Sequence, residues 1–261
     1  MDQYPDVVVI TGAGRGLGKE TAFQFAALGI PTLCISKTEN ALLTAHEINK
    51  SWGHSEGMVM DISDLTIAEK SIRKWADSAS NKKIGVVLTA AVLGSPGGII
   101  EADLQEWLKT YQTNVLGNLA VLKGLLPTML EVRYGRIVFL AGGGAAYGYP
   151  LFSGYACSKV AIVREVENLH MELKSKGDFL CTCLAPGAME TDMLQQVRAA
   201  GAEVRTTVDI SQPVSFILEF MKTSDCGFSG RFVHTRDEWS KYLQPNSAEV
   251  EGEKWLLRRM E

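Results

Sequence analysis

Residues 11–18 read Thr-Gly-Ala-Gly-Arg-Gly-Leu-Gly. Before them runs Val7–Thr11, an apolar β-branched stretch of strand length, and after them a helical pattern over Arg15–Leu28 that stops at Gly29. Small residues at such a strand-to-helix turn let the backbone approach a diphosphate closely. The helix start then turns free N–H groups and a partial positive charge toward it. A glycine pattern alone is a weak signal. In this order of strand, turn and helix it reads as the phosphate loop of a dinucleotide-binding domain.

Outward from this turn, short β-rich runs alternate with longer helical patterns. Further strands are expected at Thr32–Ser36, Gly57–Asp61, Gly85–Ala90, Arg136–Ala141, Leu180–Ala185 and Gly230–His234. Helices are expected at Glu39–Trp52, Asp64–Asn81, Leu104–Tyr111, Asn114–Leu130, Ser153–Lys176 and Ser211–Thr223. Nearly continuous apolar strands imply a parallel sheet covered on both faces, an α/β doubly wound Rossmann-type fold. No linker or repeat interrupts residues 1–235, which read as one domain. A polar tail, 236–261, is expected to pack on that domain or on a neighbouring subunit.

Composition narrows the function. The chain has 261 residues, 46% apolar and 21% charged, with a net charge of −4, which suits a globular protein with a large core. No basic stripe points to nucleic acid. The longest apolar stretches are of strand length, so no membrane span is expected, and the start of the chain does not read as a signal peptide. The five cysteines, Cys34, Cys157, Cys181, Cys183 and Cys226, are odd in number and lack C-x-x-C spacing, which suggests reduced thiols in a cytoplasmic protein. Cys181 and Cys183 alternate on one strand face. Four scattered histidines suggest no metal site.

The spacing Thr11-Gly12-x-x-x-Gly16-x-Gly18 resembles the short-chain dehydrogenase/reductase family. The likeness continues through Asp61, Asn114, Tyr155-x-x-x-Lys159 and Pro186-Gly187-x-x-x-Thr191, in family order over residues 7 to about 235. The resemblance implies a seven-stranded sheet in the order 3-2-1-4-5-6-7, a nicotinamide cofactor, hydride transfer at a carbonyl or alcohol carbon of a small molecule, and a homodimer or homotetramer. It implies cofactor contacts from Gly12, Gly14, Arg15, Gly16, Leu17 and Gly18, from Thr89 and Ala90 after strand four, and from Pro186, Gly187, Ala188 and Thr191 under the nicotinamide. Asp61, with Ile62 beside it, resembles the family residue that bonds the adenine amine. Tyr155 would be the general acid/base, Lys159 its partner and a ligand of the nicotinamide ribose, and Asn114 the holder of a relay water.

At four-residue spacing Tyr155 and Lys159 share a helix face. A free phenol titrates near ~10, and an ammonium about 4 Å away would lower that by roughly 2–3 units at an effective dielectric near ~20. At the end of strand two the sequence is Ser36-Lys37-Thr38, with no acid until Glu39. NAD recognition wants a carboxylate there. Lys37 with Ser36, and Arg15 in the glycine turn, suit a 2′-phosphate instead, so NADP is favoured over NAD.

Two departures stand out. The family's catalytic serine is expected thirteen positions before the tyrosine, where this chain has Gly142 within Ala141-Gly142-Gly143-Gly144-Ala145. Ser153, the next serine, is expected to be a helix N-cap. A lost hydroxyl of this kind typically costs about 2.7–4 kcal/mol. After strand four the chain reads Leu88-Thr89-Ala90-Ala91 where the family has Asn-Asn-Ala-Gly. Two readings therefore stay open: an NADP-dependent oxidoreductase, and a weak or inactive dinucleotide sensor. Residues 189–207, with Arg198 and Arg205, are expected to form the substrate loop.

Overall fold

The computed structural model describes residues 4–204, 206–224, 227, 229–243 and 252–257. Arg205, Cys226 and the last residues of the tail lie outside them.

Seven parallel strands form one sheet in the order β3-β2-β1-β4-β5-β6-β7. They are β1 (Val7–Thr11), β2 (Thr32–Ser36), β3 (Ser55–Val59), β4 (Ile84–Leu88), β5 (Tyr134–Leu140), β6 (Asp178–Ala185) and β7 (Phe232–His234). The helices are α1 (Gly16–Ala27), α2 (Asn40–Ser51), α3 (Leu65–Ser78), α4 (Leu104–Tyr111), α5 (Asn118–Val132), α6 (Ser153–Leu173), α7 (Asp192–Ala199) and α8 (Ser211–Lys222). The order reverses at β1, which pairs with β2 on one side and β4 on the other. A crevice opens at the carboxyl ends of the strands at such a switch point.

Burial explains the strand sequences. All five residues of β1 and β4 and all seven of β5 are buried, because helices cover both faces. On one face α3, α5 and α6 bring Ile72, Leu125 and Val166 against Val9, Val86 and Ile137. On the other α1, α2 and α8 bring Phe25, Ile48 and Phe216 against Val8, Ile10 and Val138. Cys181 and Cys183 both join the first of these clusters, as their alternation implied.

Several boundaries differ from expectation for local reasons. β3 ends at Val59, so Asp61 stands in the loop beyond it. Asp64 lies outside α3 as its cap, accepting a hydrogen bond from the Ile67 amide at 3.0 Å. Ser153 is the first residue of α6 and not its cap, and its hydroxyl donates to the Pro150 carbonyl at 3.1 Å. Helices α4 and α5 are joined through a π-helical turn, Gln112–Gly117. The joined run, Leu104–Val132, is long and apolar enough by composition to cross a membrane, contrary to the strand-length reading. More than half of its most apolar window is buried in the domain, where α5 packs on α3 and the sheet.

The described part of the tail lies on its own domain. Trp239 meets Phe216 edge-on at 5.3 Å, the Trp255 carbonyl accepts from the Phe232 amide at 2.8 Å, and the Leu257 amide donates to Glu167 at 2.9 Å.

Candidate active site

The expected site residues stand in the loops and helices that follow the carboxyl ends of β1 to β6, with Ser36 at the end of β2 itself. The glycine turn is folded tightly there. Gly12 has φ +69°, and a Cβ on Gly18 would fall 2.5 Å from the Gly12 carbonyl oxygen, so side chains are excluded from both. Arg15 precedes α1 in extended conformation and no side chain caps the helix, whereas Asp64, Asp103 and Thr191 cap α3, α4 and α7. Among the described residues no side chain caps the first N–H groups of α1, which fits a diphosphate.

Asn114 lies in the π-helical turn, a feature often found at functional sites. It is fully buried, accepting from the Val92 amide at 2.8 Å and donating to the Val92 carbonyl at 3.0 Å and to the Ser158 hydroxyl at 3.0 Å. Ser158, also fully buried, donates to the Tyr155 carbonyl at 2.7 Å. Lys159 is buried and donates to the Leu140 carbonyl at 2.7 Å, its Nζ 5.4 Å from the centre of the Tyr155 ring. Among the described residues none bonds the Tyr155 hydroxyl, which lies against Gly142: a Cβ added there would be 3.1 Å from it.

This corrects the expectation of a site that has lost its serine to Gly142. The constellation holds a serine, Ser158, tied to both Asn114 and the tyrosine backbone. Counting back from the tyrosine in sequence looked for the hydroxyl on the loop after β5, whereas helical geometry brings the residue three positions after Tyr155 onto the Asn114 side. The sensor reading rested chiefly on that gap and loses its main ground.

Burial also changes the proton balance. It pushes the Tyr155 phenol up to about 12, with Tyr149 adding to the rise, and brings the Lys159 ammonium down to about 8. The lysine does not pull the phenol down as its spacing suggested. Its ammonium is turned to Leu140, and loss of solvent outweighs attraction at this distance. At neutral pH the phenol keeps its proton and most of the lysine keeps its charge.

On the far side of the crevice, Lys37 pairs with Asp61 at 2.8 Å. Burial raises the Asp61 pKa, but bonds from Lys37 and Ser63 more than offset this and hold it below the usual carboxylate range. The Ser36 hydroxyl is engaged locally, donating to the Thr38 carbonyl at 2.6 Å and accepting from the Ala41 amide at 3.0 Å. Ile62 is buried. The Thr89 hydroxyl donates to the Thr11 carbonyl and the Ala90 amide to the Thr11 hydroxyl, tying β4 to β1. Asn118, which sequence reasoning missed, completes this tie: it accepts from Thr11 at 3.0 Å and donates to the Ala90 carbonyl at 2.9 Å and the Asn114 carbonyl at 3.0 Å.

Pro186, Gly187 and Ala188 follow β6, and Thr191 caps α7, a helix where a loop was expected. Leu93, Phe152 and Val197 pack together with Tyr149 and Tyr155 as an apolar wall beside the phenol. Arg198, in the segment expected to form the substrate loop, is paired with Glu190 at 2.7 Å. Among the described residues no group of three or more His, Cys, Asp or Glu is placed to hold a metal ion.

A family model described as short chain dehydrogenase matches residues 6–202. The chain belongs to the short chain dehydrogenase family. With its Asn114, Ser158 and Lys159 network intact, this short chain dehydrogenase is an NAD(P)-dependent oxidoreductase. It is 28% identical to a short chain dehydrogenase of Pseudocercospora fijiensis, over 94% of this chain and 84% of that one. It is 31% identical to 17-beta-hydroxysteroid dehydrogenase 13 of Homo sapiens, over 71% of this chain and 62% of the relative. Its fold resembles that of a short chain dehydrogenase of Shigella flexneri solved in complex with NADP, at TM-score 0.78 and 22% identity, covering 90% of this chain and 99% of the other.

Proposed function

We propose that this protein is an NADP-preferring carbonyl reductase of small molecules, with Tyr155 as proton donor, Lys159 as its buried charge and Asn114 as the residue that orders the space behind them. The observation that carries this reading is the free phenol beside a buried ammonium at the head of the crevice. A bound nicotinamide supplies hydride to the carbonyl carbon. Tyr155 then delivers its proton to the oxygen as negative charge develops there. The Lys159 ammonium favours that charge in a water-poor site. Ser158 fixes Asn114 against the Tyr155 backbone. In the reverse direction the phenol must first ionise. Burial, which pushes its pKa up to about 12, leaves little phenolate for that step at pH 7.

In this reading the turn at Gly12, Gly14, Gly16, Leu17 and Gly18 holds the diphosphate. Lys37 and Arg15 meet the adenosine 2′-phosphate, aided by Ser36. Asp61 and Ile62 meet the adenine, and Thr89, Ala90, Pro186, Gly187, Ala188 and Thr191 line the nicotinamide half. The absence of an acid between Ser36 and Thr38 supports NADP, as does the Shigella flexneri relative solved with it. Four thiols without disulfides among the described residues suit a reducing cytoplasm. A second copy, in a homodimer or homotetramer, would cover the exposed Leu104, Leu108 and Val160 on packed helices α4 and α6.

The test is NADPH consumption by purified protein with a panel of apolar ketones and aldehydes. Turnover by the wild type and its loss in Tyr155→Phe is the expected result. A Tyr155→Phe protein that still turns over at the wild-type rate would remove the phenol from the chemistry.

A further inference from the structure

Arg15 has two candidate destinations and can occupy only one. Its guanidinium lies 2.8 Å from Oδ2 of Asp192, the first residue of α7. Arg15 follows β1 and Asp192 follows β6, three places apart in the sheet, which is about 14 Å at the usual strand spacing. The ion pair therefore ties the loop after β1 to the loop after β6. Lys37, the other cation offered to a 2′-phosphate, follows β2, on the opposite side of β1 from β6. A guanidinium turned toward β6 has left the β2 side. The pair is weakly held, its side chains 70% and 60% exposed. The helix start that carries the carboxylate is anchored: Thr191 caps α7, and a Cβ on Gly16 would lie 3.5 Å from the Thr191 methyl, so the two loops already touch beside the pair.

We propose that Asp192 sets cofactor discrimination by competing with the adenosine 2′-phosphate for Arg15, an inference that rests on the NADP reading above. A phosphate monoester carries more charge and more acceptor oxygens than a carboxylate, and takes a guanidinium in bidentate fashion. NADPH therefore draws Arg15 toward the β2 side and breaks its pair with Asp192. NADH offers no group in that position and leaves the pair closed. The Asp192 charge thus opposes NADPH and is indifferent to NADH.

The experiment measures dissociation constants for NADPH and NADH by tryptophan fluorescence quenching, without substrate, in wild type, Asp192→Asn, Arg15→Ala and the double variant. Asp192→Asn is expected to tighten NADPH about 3- to 5-fold, the scale of an exposed ion pair, and to leave NADH unchanged. In the Arg15→Ala background it is expected to do nothing. Three results would overturn the proposal: no change in NADPH affinity, equal weakening of both nucleotides, or a gain that persists without Arg15. Arg15→Ala alone reports on the cofactor reading. If it lowers the NADPH preference while Asp192→Asn is silent, only the competition fails; if it leaves the preference untouched, the role given to Arg15 fails as well.

Discussion

Two buried cations sit at opposite ends of β5, and they are used differently. Arg136, near its start, is 1% exposed and uses four of its five N–H donors. It donates to the carbonyls of Thr223, Gly135 and Asp178 and to the Asp178 carboxylate, and its guanidinium lies 4.4 Å from the centre of the Tyr134 ring. Lys159, at the strand's carboxyl end, is 2% exposed, and among the described residues it makes one hydrogen bond, to Leu140. An ammonium has three donors. The arginine spends its donors holding β5, β6 and the end of α8 together. The lysine keeps donors in reserve, which a structural role does not require and a site does. Burial at equal depth therefore separates fold from function by the number of donors left over.

Replacing each cation with methionine tests that difference most strongly. Arg136→Met strips donors from three carbonyls, and the expected loss is about 3–5 kcal/mol of stability, seen by chemical denaturation. Turnover per folded molecule should be unchanged. Lys159→Met is expected to lower kcat about 100-fold or more. It leaves one carbonyl unpaired, at about 1–3 kcal/mol, but also removes a charge held against a comparable burial penalty, so stability should move by less than about 1 kcal/mol. A Lys159→Met protein that unfolds readily and still turns over would reverse the assignment.

The lysine's burden can be read directly from pH. Lys159 titrates near 8 in the folded chain against 10.5 when unperturbed. Between these values the unfolded chain binds the extra proton, so stability contributed by this residue rises with pH. The penalty is full below pH 8 and gone above 10.5. Tyr155 and Cys183, both pushed up to about 12, act in the opposite sense at higher pH. The difference between wild type and Lys159→Met isolates the lysine. Wild type should gain about 2–3 kcal/mol on the variant between pH 7 and 10. A flat difference would mean that the ammonium is solvated.

This contrast also shows what sequence could and could not carry. The glycine turn was legible because its rule is local: a strand, small residues and a helix start within twelve positions, with Gly18 too close to Gly12 for any side chain. Tyr155 and Lys159 were legible as a pair because helical spacing fixes their shared face. Their proton balance was not, because it depends on burial contributed by distant segments. Asn118 acts through a bond to Thr11, 107 positions away, and Arg15 through one to Asp192, 177 positions away. Nothing in the local pattern announces either. Ser158 was passed over because it reads as one more polar residue on a helix until Asn114 is brought beside it. Helix α7 went unread because eight residues with a threonine cap carry little periodicity.

The smallest expected effect comes from one methyl group at each end of the strand. Gly135 adjoins Arg136, and a Cβ there would fall 2.7 Å from the Phe179 ring and 2.9 Å from the Met129 methyl. Gly135→Ala should therefore overpack the core and cost about 1–3 kcal/mol of stability with catalysis intact. Gly142 has an extended backbone, φ 176°, which alanine adopts without strain, and its Cβ would sit 3.1 Å from the Tyr155 hydroxyl. Only the end of the Tyr155 side chain has to give way there, by a few tenths of an ångström. Stability should stay within about 0.5 kcal/mol. Because a misplacement of about 1 Å can cost 100-fold, this smaller shift should lower kcat/KM by roughly 3- to 10-fold. If Gly142→Ala instead lowers stability and spares kcat/KM, the phenol is a packing group like Phe179, and the two ends of β5 differ only in which ring they hold.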